Sequence, residues 1–345
     1  MINIQMNILT SSLEAKHFPV MIEEVIKICN PEKGNKIFLD CTFGGGGYAK
    51  ALLNFPNVKV IALDRDKSAI DRAKRLKQVF PKQFFFHNEK FSNLDKIINT
   101  EGKPDVIIFD LGLSTFQLKD LTRGFSFNAK EKIDMQMGLS NISAEEVINN
   151  FGENELKTIL RVLGEEKEAS RIVKNIVKSR QIKKIQNVSE LVSIIEKSKK
   201  KVFNKKINVC TKTFQALRIF VNKETTELIE GLIKATQFIK SGGKIIVISF
   251  HSIEDKIVKY YFTNYSSNQS NPSRYLPYES KKKDNFFEKY KNNFLTPSKN
   301  ELEKNNASRS AKLRFATRSK QEFIYPTDFI EKFNKYLQVE SYYAQ

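Results

Sequence analysis

Residues 40–47 read Asp-Cys-Thr-Phe-Gly-Gly-Gly-Gly, and they say more about the fold than any other stretch of this 345-residue chain. An apolar run, 36–39, leads into them, and a helical pattern opens at Tyr48. The glycines therefore form a turn between a strand and a helix. Glycine has no Cβ and tolerates positive φ, so such a turn lets the backbone approach a nucleotide-like ligand closely. The stretch predicts a site for a cofactor that carries a nucleoside.

A second apolar run, 58–63, ends at Asp64, about 20 residues beyond Gly44. A carboxylate at this place accepts the hydroxyl hydrogens of a ribose. Gly44, Gly46 and Ala49 also satisfy a loose dinucleotide fingerprint. At this point a nicotinamide-dependent dehydrogenase and a methyltransferase both fit the pattern.

A third acidic residue favours the methyltransferase. The buried-strand pattern 105–110 ends in Asp110-Leu-Gly-Leu-Ser114. Enzymes that methylate amines carry a polar residue and a tight turn at the end of this fourth strand, where the amine must sit. Dehydrogenases need no acidic group there.

The first third of the chain alternates strand and helix patterns. Strands are predicted over 36–41, 58–64, 84–88 and 105–110, and a helix over 67–80. Such βα units form a parallel sheet with helices on both faces, and its ligands bind beyond the carboxyl ends of the strands. Asp40, Asp64 and Asp110 all fall at those ends. We therefore expect the three carboxylates to converge on one site.

The pattern then changes. From about 120 to 212 the sequence predicts helices without strands, with a capping box at Ser143-Ala-Glu-Glu146. The helical pattern continues over 213–240, and 244–250 reads as a fifth buried strand, so the sheet is interrupted and then resumed. The remaining predictions are helices over 153–163, 165–180 and 189–201, a long and partly disordered loop over 263–307, and a final strand within 308–318.

Composition limits the partners. The formal net charge of +19 favours a polyanion such as nucleic acid, with a merely solvated basic surface as the alternative. Three cysteines and three histidines lie far apart, so we predict buried free thiols and no metal site. No apolar run is long enough to span a membrane, and the start resembles neither a secretory signal nor a transit peptide, which predicts a cytoplasmic protein.

Ten short strings, in order over residues 17–318, resemble one family, the bacterial cytosine-N4 methyltransferases of small-subunit (16S) ribosomal RNA known as RsmH or MraW. The strings are His17-Phe-Pro-Val20, Asp40-x-Thr-Phe-Gly-x-Gly-Gly47, Asp64-Arg-Asp66, Asp110-Leu-Gly-Leu-Ser114, Gln117-Leu118, Arg123-Gly-Phe-Ser-Phe127, Asp134-Met135, Thr213-Phe-Gln-Ala-Leu-Arg218, Ile248-Ser-Phe-His-Ser252 and Arg309-Ser-Ala-Lys-Leu-Arg314.

The resemblance implies an α/β fold of the Rossmann-like class I type that binds S-adenosylmethionine, with an inserted all-helical subdomain. It implies methyltransferase domain segments 1–116 and 213–345 and a substrate-recognition insertion over 117–212. The implied activity is methylation of a cytidine in the decoding region of small-subunit ribosomal RNA, with the small subunit as partner. The implied cofactor positions are Gly46, Gly47, Tyr48, Asp64, Phe91, Asp110 and Gln117, to which the strand-end argument adds Asp40.

This chain departs from the family pattern at a few positions. Tyr48 stands where the family usually has His, Phe116 replaces a usual Pro, and Gln136 replaces a usual Arg. Val209-Cys-Thr-Lys212 replaces Pro-Ala-Thr-Arg. Tyr48 puts a side-chain contact with the cofactor in doubt, and the next two departures affect the pocket for the base. None of them removes a carboxylate that the chemistry needs.

A cytosine amine is a weak nucleophile, because its lone pair is delocalised into the ring. Acceptors for its hydrogens favour the pyramidal form that attacks, and Asp110 and Ser114 are the catalytic candidates, with Asp134 assisting at the base pocket. The target base must leave its stack to be reached. Candidate substrate contacts are the possible stacking rings Phe125, Phe127 and Phe250, then His251, and the cations Arg123, Arg218, Arg309, Lys312 and Arg314. Core phenylalanines and surface charges are the alternatives.

Two rival functions remain open at this stage. One is a methyltransferase that acts on another RNA amine or on a protein amine. The other is a basic RNA-binding factor for ribosome assembly that keeps the cofactor fold without turnover. Retention of Asp40, Asp64 and Asp110 argues against the second.

Overall fold

The computed structural model describes residues 19–199, 208–267 and 285–342. His17 and Phe18 of the first family string, residues 200–201 of a predicted helix and residues 268–284 of the predicted loop lie outside these ranges. The six strands are β1 Lys36–Asp40, β2 Val58–Leu63, β3 Phe84–His87, β4 Val106–Asp110, β5 Lys244–Ser249 and β6 Lys312–Thr317.

The six strands form one sheet in the order β3-β2-β1-β4-β5-β6. The first five strands run parallel, and β6 pairs antiparallel with β5. Their apolar side chains are buried on both faces, as continuous Val/Ile/Leu/Phe runs in parallel strands require. This is the predicted Rossmann-like α/β fold, and the predicted final strand within 308–318 is confirmed.

The structure also contains fourteen α-helices within the described residues. They are α1 Ile22–Cys29, α2 Gly47–Leu53, α3 Ala69–Val79, α4 Leu94–Glu101, α5 Thr115–Lys119, α6 Ala144–Asn150, α7 Glu153–Gly164, α8 Ala169–Ile182, α9 Val188–Ser198, α10 Thr211–Asn222, α11 Glu224–Phe238, α12 Ser252–Asn264, α13 Lys299–Lys304 and α14 Thr327–Glu340. Of these, none combines the length and the apolar character that crossing a bilayer demands.

Helices cover both faces of the sheet and enclose two apolar cores. Strand residues alternate between faces, so Phe38 packs with α1, α2 and α3, whereas its neighbour Leu39 packs with α4, α11 and α12. The helices α6–α9, which lie between β4 and β5 in the chain, share the apolar core that contains Leu39. This core extends without a break to Ile195 of α9. The predicted helical insertion is therefore anchored on the sheet through one continuous core.

Local sequence explains how the insertion begins. The predicted capping box is confirmed: the Glu146 N–H donates to Ser143 Oγ at 3.2 Å, and Glu146 Oε2 accepts the Ser143 N–H at 2.8 Å. The buried face of α7 packs against α10, which brings the insertion back to the sheet domain. The three cysteines are buried and free, as predicted.

The continuous helix predicted over 213–240 is wrong. Lys223 has φ 51°, which separates α10 from α11. The first N–H groups of α11 need acceptors, and the Glu340 carboxylate accepts from Thr225 N at 3.0 Å and from Thr226 N at 2.8 Å. An acceptor 114 or more positions away in sequence is invisible to a local helical pattern.

The loop predicted over 263–307 is also partly wrong. Helix α12 continues to Asn264, and α13 occupies Lys299–Lys304. Phe286 and Phe287 are completely buried against α12, where the Tyr261 ring meets Phe287 at 5.7 Å. Burial of these aromatic rings orders a stretch whose Asn, Ser and Lys content is typical of loops.

Candidate active site

A cavity of about 340 Å³ lies at the carboxyl ends of β1, β2 and β4. The strand order reverses direction between β1 and β4, and ligands of open α/β sheets bind outside such a switch point. Among the residues singled out in the sequence, the lining contains Gly44, Gly47, Tyr48, Asp64, Phe91, Asp110, Ser114, Gln117, Arg218 and Phe250. Of the three carboxylates expected to converge from the strand ends, Asp64 and Asp110 line this cavity.

The glycine turn forms one wall of the cavity. Gly46 has φ 76°, and a Cβ on it would lie 2.8 Å from the Phe43 ring. A Cβ on Gly47, the first residue of α2, would lie 2.8 Å from Pro19. Side chains at these positions would push into neighbouring residues, so the shape of the turn depends on glycine. Gly46, a predicted cofactor position, does not itself line the cavity, whereas Gly44 and Gly47 do.

Asp64 follows the last residue of β2 and is fixed by backbone groups. Its carboxylate oxygens accept from Gly44 N at 2.7 Å and from Asp66 N at 2.8 Å. Burial raises the pKa of Asp64 to about 6 in spite of these two hydrogen bonds. Asp64 is thus held on the cavity wall as a rigid acceptor, the geometry that a ribose hydroxyl pair requires.

Asp110 ends β4, lines the cavity and contains an acceptor that is not used. Its Oδ1 is buried and has no hydrogen-bond partner among the described residues, while its N–H donates to Thr42 Oγ1 at 2.7 Å. Burial first and the nearby Asp40 carboxylate second raise the pKa of Asp110 well above its usual value. A buried acceptor without a donor is costly unless a ligand supplies one.

Asp40 lies behind this wall and does not line the cavity. It is completely buried, and its Oδ1 accepts the Thr42 N–H at 3.1 Å. Burial raises the pKa of Asp40 to about 7. The structure therefore does not support the predicted direct cofactor contact of Asp40; the carboxylate shapes the turn that carries Thr42 and acts on the charge of Asp110.

Tyr48 occupies the family's usual His position with a buried side chain. Its hydroxyl donates to the Val20 carbonyl at 2.5 Å and lies beside Asp110. Burial, followed by the Asp110 and Asp40 charges, raises the pKa of Tyr48 well above its usual value. The phenol therefore stays neutral and ties the start of the described chain to the cavity wall.

The loop after β4 is organised by a second capping box, at the start of α5. Gln117 N donates to Ser114 Oγ at 3.2 Å, and Gln117 Oε1 accepts the Ser114 N–H at 2.9 Å. The Gln117 amide then donates from Nε2 to Asp66 Oδ2 at 2.9 Å. Ser114 and Gln117 thus line the cavity with their hydrogen-bonding groups largely committed to holding the loop.

Phe91 supplies an apolar wall. Its ring meets Phe109 edge-to-face at a centroid distance of 5.3 Å. Gly231 of α11 lies against it, since a Cβ there would sit 2.8 Å from the Phe91 ring. The ring is fixed from two sides and faces the cavity with a flat apolar surface.

The segment over residues 123–142, here called the strap, crosses from α5 to the insertion without helix or strand between Gly124 and Ile142. Arg123 donates to Asp66 Oδ2 and to the Gln136 carbonyl, each at 2.5 Å. Hydrogen bonds from Arg123 and Gln117 outweigh the effect of burial and lower the pKa of Asp66. Arg123 is an internal clamp here and is not placed as a free phosphate contact.

Three other predicted substrate or base-pocket residues also lie in the strap, away from the cavity lining. Phe125 is 6% exposed, and Phe127 packs edge-to-face on Phe214 at 4.8 Å. The structure places both rings in the core, which is the alternative that the sequence left open. Asp134, whose pKa is raised by burial, accepts the Ala144 N–H on its carbonyl at 2.9 Å and joins the strap to α6.

Another part of the cavity wall carries a group of charged side chains. Arg218 donates to Glu224 through Nε and Nη2, both at 2.8 Å. Glu254 Oε2 accepts the Phe250 N–H at 2.8 Å, and the His251 ring nitrogen Nε2 lies 3.0 Å from Glu254 Oε1. Ligand atoms of Glu224, His251 and Glu254 lie within 4.8 Å of one another, and Arg218 already balances the Glu224 charge.

The predicted cations near β6 are mostly paired. Lys312 and Arg314 both bond the Asp255 carboxylate, at 2.9 and 2.7 Å. Arg314 is 3% exposed, so the structure gives it no access to an RNA phosphate. Arg309 is exposed and retains that access.

Sequence reasoning missed several residues that build the site. Asn222 is completely buried, donates to the Met135 carbonyl at 2.7 Å and accepts from Met137 N at 2.8 Å, which fixes the strap. The side chains of Arg65, Asp66, Glu224, Glu227 and Glu254 also belong to the cavity wall. Asp66 stood in a family string, whereas a Glu on a helix carries no local signal of burial.

Comparisons with known proteins give a consistent result. Residues 14–319 match the model of the MraW methylase family. Ribosomal RNA small subunit methyltransferase H of Ehrlichia canis is 40% identical over 301 residues, which cover 86% of this chain and 98% of that protein. The protein of the same name from Bartonella bacilliformis is 42% identical over 305 residues, covering 88% of this chain and 90% of that protein.

Solved structures are more distant. The crystal structure of an rRNA methylase from Streptococcus thermophilus shares 11% identity, covers 89% of this chain and 100% of that chain, and superposes with a TM-score of 0.40. A likeness of this size adds no argument about function.

Proposed function

The chain belongs to the MraW methylase family, and from this premise we propose that it transfers a methyl group from S-adenosylmethionine to the N4 amine of a cytidine in the decoding region of small-subunit ribosomal RNA. The observation that carries the proposal is Asp110. Asp110 lines the cavity where the acceptor amine must sit, and one oxygen of its carboxylate has no hydrogen-bond partner among the described residues.

The cavity wall fits S-adenosylmethionine in chemical character. The glycine turn brings the backbone of Gly44 and Gly47 to the cavity, the Asp64 carboxylate offers acceptors for ribose hydroxyls, and the Phe91 ring offers apolar surface. Gln117 closes the same side. When bound, the cofactor supplies an electrophilic methyl group on a sulfonium, which needs no metal to be reactive.

The remaining chemistry belongs to the acceptor side. The Asp110 carboxylate accepts a hydrogen of the N4 amine, which moves electron density onto the nitrogen that attacks. The amine gives up a proton as the new N–C bond forms, and the raised pKa of Asp110 makes this carboxylate a suitable proton acceptor. Ser114 Oγ already accepts the Gln117 N–H, so Ser114 assists less than Asp110 does.

Orientation contributes a large part of the rate. The turn after β4 is held by the α5 capping box and, through Gln117, by Asp66. A fixed acceptor and a fixed methyl donor convert the encounter into an oriented reaction, an effect that reaches ~7–11 kcal/mol in favourable cases.

We also propose the domain division 1–116 plus 213–345 for methyl transfer and 117–212 for substrate recognition. In its support, helices α6–α9 interrupt the sheet between β4 and β5. The net charge of +19 supports an RNA partner. The small subunit, with its exposed decoding region, is proposed as the form in which that RNA is bound.

The deciding experiment uses small ribosomal subunits from a strain that lacks the modification. The protein transfers a labelled methyl group from S-adenosylmethionine, and the RNA is digested to nucleosides for chromatography and mass spectrometry. We expect label in N4-methylcytidine. Label confined to ribosomal protein, or in another nucleoside, contradicts the proposed substrate. A parallel reaction with naked RNA tests whether the assembled subunit is the substrate. Efficient methylation of naked RNA contradicts the proposed role of the assembled subunit.

A further inference from the structure

A basic, aromatic segment forms one margin of the cavity. Residues 285–318 contain eight Lys or Arg and three Glu. The segment reaches the cavity itself, because Asn305 and Ala307 belong to the lining. It is also fixed to the fold: Glu301 Oε1 accepts the Met21 N–H at 2.8 Å, and Leu295 exchanges backbone hydrogen bonds with Leu313 of β6 at 2.9 Å.

Phe294 is unusual within this segment. Two other phenylalanines of the segment, Phe286 and Phe287, are completely buried, whereas Phe294 is 43% exposed. Two cations face its ring, with Lys312 Nζ at 5.0 Å and Arg314 Cζ at 5.1 Å from the centroid. These cation–π contacts hold an apolar ring at the surface, although burial would be the default for Phe.

The cations are themselves held in place. Asp255, in the first turn of α12, bonds both Lys312 and Arg314, and the Tyr290 hydroxyl lies 3.2 Å from Arg314 Nη1. One carboxylate faces two cations, so the group keeps a positive charge next to the ring. The arrangement is a rigid, exposed aromatic surface with a cationic border.

The position connects this surface with the active site. Lys312 pairs with Ser249, the last residue of β5, and the next residue, Phe250, lines the cavity. The Phe294 ring, which contacts Lys312, therefore lies near the carboxyl end of β5, at the sheet edge where the cavity opens.

We propose that Phe294, supported by Lys312 and Arg314, stacks on an unpaired RNA base that flanks the target cytidine. This inference rests on the proposed function for the identity of the substrate. Every base has a π-face, and single-stranded RNA is bound in other proteins by aromatic rings in basic grooves. The half-buried Lys312 is the cation that can also reach a phosphate, whereas Arg314 only supports the ring. The platform holds the strand while the target base enters the cavity.

The test compares Phe294→Ala with Phe315→Ala. Phe315 is also an exposed ring, 37% exposed, but it alternates with Arg314 on β6 and so points to the other face of the sheet. We expect Phe294→Ala to raise the KM for small subunits roughly five- to 150-fold, the range found when a stacked ring is removed. The dissociation constant for S-adenosylmethionine stays unchanged, Phe294→Trp restores the KM, and Phe315→Ala resembles the parent.

A binding assay separates this proposal from the proposed function. A fluorescent single-stranded oligoribonucleotide with a central cytidine is titrated with each variant, without any methyl transfer. Weaker binding by Phe294→Ala alone supports the platform even if the wild-type protein methylates something else. Equal binding of the oligonucleotide by all variants overturns the platform. The platform is also overturned if Phe294→Ala raises the KM for small subunits but leaves oligonucleotide binding unchanged, because that result indicates that Phe294 contacts a ribosomal protein. Melting temperatures within about 2 °C of the parent establish that the variants are folded.

Discussion

Asp64 and Asp66 stand two residues apart, yet they belong to two regions with opposite electrostatics. The cavity holds Asp64, Asp110 and, behind its wall, Asp40, and burial raises the pKa of all three. The strap is anchored on Asp66, whose pKa is lowered because Arg123 and Gln117 donate to it. Both regions contain buried carboxylates. Of the two, as far as the described residues extend, only the cavity leaves buried carboxylate oxygens without a hydrogen-bond donor.

The difference shows which of the two regions stabilises the folded protein and which one destabilises it. Around the strap, Asp66 accepts from Arg123, while Arg65 and Asn222 donate to strap carbonyls, so these contacts stabilise the protein. In the cavity, Asp40 Oδ2 and Asp110 Oδ1 lack partners among the described residues, which destabilises the free protein. Perturbed, unsatisfied groups in a cleft are typical of sites that a ligand completes.

The largest expected effect comes from neutralising the unpartnered acceptor. Asp110→Asn keeps the shape of the side chain but removes the charge and the proton acceptor. We expect the rate of methyl transfer to fall by about 10²–10⁴-fold, the usual contribution of a general base. The rate is measured with saturating small subunits, and calorimetry with S-adenosylmethionine separates chemistry from cofactor binding.

The same variant tests the rival of a non-catalytic assembly factor. An assembly factor keeps its function when Asp110 is replaced, whereas an enzyme loses methyl transfer. A rate within threefold of the wild type would remove Asp110 from the mechanism. Because the pKa of Asp110 is raised, we also expect the wild-type rate to increase as the pH rises through it.

The next effect concerns cofactor affinity as the pH falls. Asp64 has a pKa of about 6, and only its ionised form accepts hydrogen bonds from both ribose hydroxyls. The dissociation constant for S-adenosylmethionine should therefore be constant above about pH 7 and rise roughly tenfold per pH unit below 6. Isothermal titration between pH 5 and 8 measures it. Asp64→Asn should bind weakly with a flat profile over that range, and a sloping profile for this variant would assign the titration to another group.

A smaller effect distinguishes crowding from backbone strain in the glycine turn. Gly46 and Gly34 have nearly equal φ values, 76° and 75°, but a Cβ on Gly34 meets nothing within 4 Å, whereas one on Gly46 meets Phe43. Gly34→Ala should lower the free energy of unfolding by about 1–2 kcal/mol, the strain alone. Gly46→Ala should lose more and also bind the cofactor about tenfold more weakly, since its neighbours must shift. If Gly34→Ala and Gly46→Ala lowered the free energy of unfolding equally, the Phe43 ring would move aside without cost.

The two regions also differ in how far the sequence predicts them. Strand ends follow from apolar runs, so the amino-acid sequence alone suffices to place Asp40, Asp64 and Asp110 at one edge of the sheet. Pairing across the chain does not follow in this way. Arg123 reaches Asp66 over 57 positions and Arg314 reaches Asp255 over 59, and no local pattern reports such contacts.

For the same reason the rings of the strap were ambiguous. Phe125 and Phe127 stand among polar residues, which suggests exposure, but Phe214 of α10 covers one of them after folding. Lys223 illustrates the backbone counterpart, because its helical surroundings hide the positive φ that separates α10 from α11. At these positions tertiary contacts determine the burial and the backbone conformation, and they override local sequence propensity.

The last comparison concerns the pH dependence of stability in the two regions. For Asp66 the folded pKa is lowered, so its stabilisation is fully present above the unfolded pKa of about 3.9 and is lost only as the pH falls through the folded value. Asp66→Asn should therefore reduce the free energy of unfolding by about 1.5–3 kcal/mol, equally at pH 5 and pH 8. Urea titrations at both pH values measure the difference.

For Asp40 we expect stability to change with pH in the opposite direction. Its folded pKa is raised to about 7, so its contribution is fully present below the unfolded pKa and is lost as the pH rises through 7. The wild type should lose stability relative to Asp40→Asn between pH 5 and pH 8, by an amount on the order of 1 kcal/mol per pH unit up to 7. If the free energy of unfolding of Asp40→Asn and Asp66→Asn varied with pH in parallel, the Asp40 carboxylate would be as well satisfied by hydrogen bonds as that of Asp66. The distinction between the two regions would then be wrong.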